Sequence, residues 1–180
     1  MPSKLDFNLE ESADVLSRTP GVLKAMLSSL PEHWTSNNYG ADTFSPFDVV
    51  GHLIHGDQTD WITRTRQILE TQDTEPFVPF DRYAMYEKSQ GKTIAELLDE
   101  FEQVRSEALD DLTNLGITGA QLELTGKHPV LGSVKLRELL ATWVAHDLNH
   151  IHQVAKCMAH QYKDAIGPWV GHLGVFPKQT

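Results

Sequence analysis

LRELLATWVAHDLNHIHQV, residues 136–154, is the most informative stretch of the chain, because it joins a helical pattern to two histidines. Its apolar residues recur every three or four positions, which is typical of the buried face of an amphipathic helix. Two histidines continue the same stripe, so that the face comprises Leu136, Leu139, Leu140, Trp143, His146, His150, Val154 and Met158. The pattern predicts a helix from about residue 135 to about residue 162, with two imidazoles on its buried side.

Three more helices are predicted: the first from an apolar stripe over residues 9–30, and the other two from the remaining long stretches that lack a proline. A break in the first is expected at Pro20, because Thr19 can cap a helix whose first residue is proline. Ser45 is a cap for the second helix, and Thr93 opens a capping box for the third. Since no strand pattern is visible, the chain is predicted to be an all-α, four-helix bundle with long inter-helix connections. The predicted helices cover residues 9–30, 46–69, 94–115 and 135–162.

Length and composition favour one folded domain over residues 1–180, with 40% hydrophobic and 22% charged residues. The net charge of −10 argues against binding to nucleic acid or to an anionic membrane surface. The single cysteine, Cys157, excludes an intrachain disulfide and a cysteine-rich zinc site. With no apolar run long enough to span a bilayer and no signal-peptide pattern, a cytoplasmic location is expected.

His146 and His150 are separated by one helical turn, in the sequence His146-Asp147-Leu148-Asn149-His150. Residues four positions apart lie about 40° apart around a helix, so both imidazoles can bind one metal ion. The alternative is a pair of core histidines with local hydrogen bonds, because buried polar nitrogens need partners. The spacing alone leaves both interpretations open.

A third ligand has to come from another helix, and the second helix offers His52 and His55 in the sequence GHLIHG. Only one of these two histidines is expected to act as the third ligand, since their side chains project in different directions from the helix. Gly56 lies one turn after His52 on the same face and leaves room for a metal, a water molecule or a substrate. Three histidines with open positions are typical of catalytic rather than structural sites.

Other residues are weaker candidates for the same site. His128 lies in the loop before the last helix and can overhang the centre, and Trp143 can line a pocket, although it also fits the core. Asp57, Asp60 and Asp147 can orient a ligating imidazole. The simpler interpretation places these three carboxylates on a solvated helix face. No catalytic acid, base or nucleophile can be assigned from the sequence.

The chain also resembles a known family. Residues 45–64, SPFDVVGHLIHGDQTDWITR, resemble the second-helix signature of the DinB-like (YfiT-like) metalloenzymes. Residues 136–154 are similar to the last-helix signature of that family, with HxxxH followed closely by Gln. Residues 128–132 and the proline pattern of the first helix agree, so the resemblance covers nearly the whole chain. It departs at Lys135, where relatives often carry Thr or Ser before the last helix; Ser133 is an alternative cap.

The resemblance implies a four-helix bundle with one divalent metal ion, nickel or zinc, bound by His52, His146 and His150. Family members are often homodimers, and include thiol-dependent S-transferases, a thiol-dependent isomerase and hydrolases. We therefore expect a metal-dependent enzyme for a small-molecule substrate, either a hydrolase or an S-transferase with a low-molecular-weight thiol as cosubstrate. The alternative is a non-catalytic metal-binding or stress-response helical module. Possible site-lining residues are His55, Gly56, Trp143 and His128.

Overall fold

Four long helical segments form the framework. Each of the first two consists of two consecutive helices, because the regular helical backbone is interrupted partway along the segment. The computed structural model describes residues 6–176. The segment order agrees with the predicted four-helix bundle. In chain order the helices are α1 (Leu9–Leu16), α2 (Thr19–Leu27), α3 (His33–Ser36), α4 (Pro46–Thr59), α5 (Trp61–Thr71), α6 (Met85–Ser89), α7 (Ile94–Asn114) and α8 (Leu136–His160).

The helix starts follow the local sequence signals. The Ser45 hydroxyl accepts a hydrogen bond from the Asp48 N–H at 3.1 Å, and the Asp48 carboxylate accepts one from the Ser45 N–H at 2.9 Å. The capping box at Thr93 is likewise present, and the chain restarts at α2 beside Pro20 as predicted. Lys135, rather than Ser133, directly precedes α8.

The second predicted helix was expected to run unbroken to residue 69, and this was wrong. Asp60, with φ −116° and ψ −69°, separates α4 from α5. No proline or glycine marks the position, so the sequence gives no local signal for the break. Asp60 and Trp61 both line the same cavity. Consecutive residues of a regular helix point about 100° apart, so the break at Asp60 helps both side chains to face the cavity.

The connection between α7 and α8 contains a β-hairpin, although no strand was predicted. Strands β1 (Thr125–His128) and β2 (Gly132–Lys135) pair antiparallel. Strands of four residues are too short to show a clear alternation of apolar and polar side chains. The Phe77 N–H donates to the Lys127 carbonyl at 2.8 Å, which ties the α5–α6 connection to the hairpin.

The apolar core consists of two clusters. One lies mainly between α2, α4 and α7, and the other joins α1, α5, α7 and α8. The second cluster also receives Phe77 from the α5–α6 connection. Within residues 6–176, no helix combines the length and the apolar character needed to cross a membrane.

Candidate metal centre

His52 on α4 meets His146 and His150 on α8 between the two clusters of the core. The Nε2 atom of His146 lies 3.2 Å from that of His52 and 3.1 Å from that of His150. All three residues offer a ring nitrogen within 4.8 Å of those of the other two. The structure thus brings together the three histidines that the sequence singled out as candidate ligands.

Helix geometry accounts for this convergence. His146 and His150 are stacked one turn apart on α8, and α4 packs against α8 so that His52 faces them. His52 and His150 are each only 6% exposed. The α4 helix is buried over nearly all of its middle, from Val49 to Asp57, which explains why an imidazole there points inward.

Burial keeps the three imidazoles neutral. Desolvation, followed by the mutual repulsion of the protonated rings, lowers the pKa of His52 to about 4 and that of His146 to about 3. Desolvation also lowers the pKa of His150, against the raising effect of its hydrogen bond to Gln153. Neutral imidazole is the form that binds metal ions, so the ring nitrogens are available as ligands near pH 7.

The hydrogen bonds of His150 fix its tautomer. Its Nδ1 lies 2.9 Å from the amide oxygen of Gln153, which can only accept, so Nδ1 carries the proton. The Nε2 atom therefore directs a lone pair toward His146. Gln153 lies three residues after the HxxxH pattern, and it orients the His150 imidazole as partners of metal-bound histidines commonly do.

The remaining ring nitrogens leave this cluster incompletely satisfied. The Nδ1 atoms of His52 and His146 are buried and have no hydrogen-bond partner among the described residues. The Nε2 atom of His146 lies within hydrogen-bond distance of both other Nε2 atoms, but a single N–H can point directly at only one of them. Two nitrogens held about 2.0–2.1 Å from one zinc ion are roughly 3–3.4 Å apart at octahedral or tetrahedral angles. The observed separations therefore fit a shared divalent metal ion.

A cavity of about 370 Å³ opens beside the histidines and is large enough for a small organic molecule. His52 and His146 form part of its wall, together with Gly56 and Trp61. The ring of Trp61 contacts that of His146, with centroids 5.2 Å apart. The cavity therefore gives a small molecule access to His52 and His146.

Of the four residues predicted as possible site-lining residues, two line the cavity and two do not. His128 and Gly56 line the cavity. A β-carbon at Gly56 would lie 3.3 Å from Trp61 Nε1, so the glycine accommodates the Trp61 indole as well as leaving space. Trp143 is fully buried and stacks behind Trp61 at 5.8 Å, and it supports the wall without lining it.

His55 does not line the cavity. Its Nδ1 accepts a hydrogen bond from Lys88 Nζ at 3.1 Å, and its ring packs against Phe80 at 5.0 Å. Desolvation, followed by the charge of Lys88, lowers the pKa of His55. Of the two histidines in the sequence GHLIHG, His52 is therefore the one that faces α8.

The expectation that three aspartates occupy a solvated helix face was wrong. Asp57 and Asp147 are buried on either side of Arg105, whose side chain is 2% exposed. Arg105 Nε lies 2.7 Å from Asp57 Oδ2, and Arg105 Nη2 lies 3.2 Å from Asp147 Oδ1. The third carboxylate, Asp60, pairs with Arg64 at 2.7 Å and lines the cavity.

Arg105 was missed in the sequence, although a signal for it exists. It lies four residues after Phe101 and three before Ala108, within the apolar stripe of α7. A charged residue in the middle of such a stripe requires a buried counter-charge. Here α4 and α8, the two helices that carry the histidines, each supply one carboxylate.

Comparison with known proteins identifies the family and a similar fold. The sequence model of the DinB superfamily matches residues 16–154, a span that includes all three histidines. Among solved structures, the chain is similar to YfiT from Bacillus subtilis, described as a probable metal-dependent hydrolase with an unusual four-helix bundle topology. The TM-score is 0.71 and the identity 19%, with 93% of this chain and 92% of YfiT covered. No curated protein sequence matches the chain.

Proposed function

The chain belongs to the DinB superfamily, and on that premise we propose that it is a metal-dependent enzyme acting on a small molecule. The proposed ligands of one divalent ion, nickel or zinc, are His52, His146 and His150. The observation that carries the proposal is the convergence of three neutral imidazoles, with Nε2 separations of 3.1 and 3.2 Å, beside a cavity whose wall includes His52 and His146.

His52, His146 and His150 would hold the ion with three protein ligands, which leaves coordination positions for water or substrate, as in catalytic rather than structural zinc sites. A divalent ion bound there supplies Lewis acidity, and it lowers the pKa of a coordinated water molecule or thiol. The protein contributes the neutral ligand set and the orientation of His150 through Gln153. It also contributes a wall that includes Trp61 and excludes solvent from one side of the reactants.

Hydrolysis is the first candidate reaction. YfiT, which shares the fold, is described as a probable metal-dependent hydrolase. The cavity wall contains one carboxylate, Asp60, whose pKa is raised by burial. A carboxyl group with a raised pKa can accept a proton from an attacking water molecule or return one to a leaving group.

Thiol transfer is the second candidate, in which an external low-molecular-weight thiol replaces water as the nucleophile. The protein cannot supply this thiol itself. Cys157 is buried, donates a hydrogen bond to the Phe44 carbonyl at 3.2 Å, and has its pKa raised by burial to about 11. The cavity is large enough to hold a small thiol beside an electrophile.

Elemental analysis of protein purified without an affinity tag tests the metal site. We expect about one equivalent of nickel or zinc in the parent, and none in the His52→Ala and His150→Ala variants. The matched control is His152→Ala, which removes an exposed histidine from the same helix and should keep the metal. If the parent binds no metal even after incubation with nickel and zinc, the proposed function is wrong.

Product analysis separates the two reactions. Hydrolysis predicts incorporation of ¹⁸O from labelled water without any added thiol. S-transfer predicts a thiol adduct on a chlorinated aromatic electrophile and no turnover without thiol. A protein that binds one metal ion but shows neither product across ester, amide and electrophile panels would instead fit a non-catalytic metal-binding module.

A further inference from the structure

One wall of the cavity carries hydrogen-bond donors that the proposed metal centre does not use. It is formed by α5, by the segment around residues 77–80 and by the β-hairpin. Arg64 and His128 are the polar donors on this wall. The Arg64 guanidinium lies 5.1 Å from the centroid of the Phe77 ring, and the His128 ring lies 6.3 Å from it. The two side chains are close enough for the charge of Arg64 to lower the pKa of His128.

Arg64 is held in place by three contacts. Its Nε lies 2.7 Å from Asp60 Oδ1, its Nη2 donates to the Val78 carbonyl at 3.3 Å, and its guanidinium lies over Phe77. The side chain is 11% exposed. The other guanidinium N–H groups, including both on Nη1, make no hydrogen bond within the described part of the chain. A rigid, partly desolvated fork with unused donors is suited to bind a carboxylate.

His128 presents a single defined donor. Its Nδ1 accepts hydrogen bonds from the backbone N–H groups of Val130 at 3.2 Å and Leu131 at 3.1 Å. The ring proton must therefore be on Nε2, and this N–H makes no hydrogen bond to residues 6–176. Desolvation, followed by the charge of Arg64, lowers the pKa of His128 and keeps it in this neutral donor form.

The remainder of the lining is mostly apolar. Pro79 and Phe80 come from the α5–α6 connection, Pro129 and Val130 from the hairpin, and Trp61 from α5. The opposite charges of Arg64 and Asp60 balance, and the histidines are neutral. A divalent ion at the histidines would give the cavity a net positive charge, which favours an anionic ligand in a protein of net charge −10.

We propose that Arg64 and His128 form a subsite for a carboxylate group, so that the substrate is a small organic acid with an apolar segment. The Arg64 fork would take one or both carboxylate oxygens, and the His128 Nε2–H would donate to the same group. The inference rests on the proposed function, because it concerns the same cavity. It predicts specificity for a feature of the substrate that is separate from the reacting bond.

Calorimetry with phenylacetate and phenylacetamide tests the subsite, because these two probes differ only in the charged group. We expect the parent to bind phenylacetate at least about tenfold more tightly, both as isolated and after chelator treatment. Arg64→Gln should abolish this preference. Arg64→Lys, which keeps the ion pair with Asp60 but loses the fork, should retain only part of it, and His128→Phe should weaken it.

The matched control is Arg66→Gln, which removes an exposed arginine of the same helix that pairs with Asp111 at 3.1 Å. It should leave the preference intact. Equal binding of both probes, no binding of either, or a preference unchanged by Arg64→Gln would overturn the subsite. If Arg64→Gln fails to fold, Arg64→Lys and His128→Phe decide, and unchanged preference in both would overturn it.

The subsite and the proposed function can fail separately. Carboxylate preference in chelator-treated protein that never binds metal would retain the subsite and overturn the metal-dependent enzyme. If the protein binds one equivalent of metal but does not prefer the carboxylate probe, the metal-dependent enzyme is retained and the subsite is overturned. A preference that requires metal and persists in Arg64→Gln would place the carboxylate at the histidines and not at Arg64.

Discussion

Arg105 on α7 forms a buried ion pair with Asp147 on α8, and Asp147 directly follows His146 in the sequence. The same guanidinium pairs with Asp57 on α4, five residues after His52. It also donates to the Leu16 carbonyl at the end of α1, at 2.8 Å. Arg105 therefore joins the two helices that carry the histidines and fixes their separation next to the candidate metal centre.

Replacing Arg105 should destabilise the fold strongly. Arg105→Met leaves two buried carboxylates without their counter-charge, and we expect a loss of about 3–5 kcal/mol in the free energy of unfolding. Urea denaturation measures this loss. The matched control is Arg137→Met, which removes an exposed pair with Glu123 and should cost less than about 1 kcal/mol.

The same variant should weaken metal binding beyond what destabilisation alone explains. Leu112→Ala removes a buried side chain of the same helix and serves as a comparison of similar stability cost. Competition with a chromophoric chelator should show a lower zinc affinity for Arg105→Met than for Leu112→Ala. Equal affinities in the two variants would show that the ion pair does not position the histidines.

Gln153 should contribute to metal affinity through His150. Gln153→Leu removes the acceptor for His150 Nδ1–H, so the ring loses its fixed tautomer and orientation. Loss of such a partner typically lowers metal affinity about 10–100-fold. Zinc titration should show this decrease, whereas Asn149→Leu, at an exposed position of the same helix, should bind zinc like the parent.

Acidification should destabilise the metal-free protein through the buried histidines. The pKa of His146 is about 3 and that of His52 about 4 in the folded protein, whereas an unfolded histidine titrates near 6.5. Below about pH 6.5 the unfolded chain binds protons that the folded protein excludes, so stability falls as the pH decreases toward 4. Asp57, whose pKa is raised by burial to about 6, acts in the opposite direction.

The His146→Gln variant isolates the histidine contribution, because Asp57 is present in both proteins. Both proteins should lose unfolding free energy when the pH is lowered from about 7.5 to about 5.5. We expect the decrease to be about 1 kcal/mol smaller in His146→Gln than in the parent. Urea denaturation of chelator-treated protein measures both. His152→Gln, at an exposed position, should behave like the parent, and an identical pH response of His146→Gln would contradict the assignment.

Gly126 should be intolerant of a side chain, because the hairpin packs closely on the α5–α6 connection there. A β-carbon would lie 2.5 Å from Phe77 Cζ and 2.6 Å from Ile68 Cγ1. We expect Gly126→Ala to cost about 1–3 kcal/mol by overpacking and to displace the hairpin that carries His128. Gly119→Ala, where nothing lies within 4 Å, is the control for thermal unfolding.

Local sequence signals were sufficient where backbone chemistry acts over a few residues. The capping residues Ser45 and Thr93 fixed two helix starts, and Pro20 marked the restart of the first helical segment. The break at Asp60 and the hairpin after α7 were missed. Neither has a local signature, because the break carries no proline and the strands are only four residues long.

In the candidate site, too, some features follow from local sequence signals and others depend on how the helices pack. The spacing of His146 and His150 placed both imidazoles on one face of a helix, since this follows from helix periodicity alone. Whether His52 or His55 completes the set depends on the rotation of α4 against α8. The packed structure turns His52 toward α8 and leaves His55 with Lys88.

Helical periodicity, the caps and the His146–His150 pair follow from the amino-acid sequence alone, because each depends on residues close together in the chain. The family resemblance, which covers nearly the whole chain, added His52 as the third candidate ligand. The packing of the helices and the hairpin places Asp57 and Asp147 on either side of Arg105, and it brings Arg64 and His128 to one cavity wall. The residues brought together in this way lie between 42 and 64 positions apart in the sequence. Their geometry depends on how the helices and the hairpin pack, which no local pattern encodes.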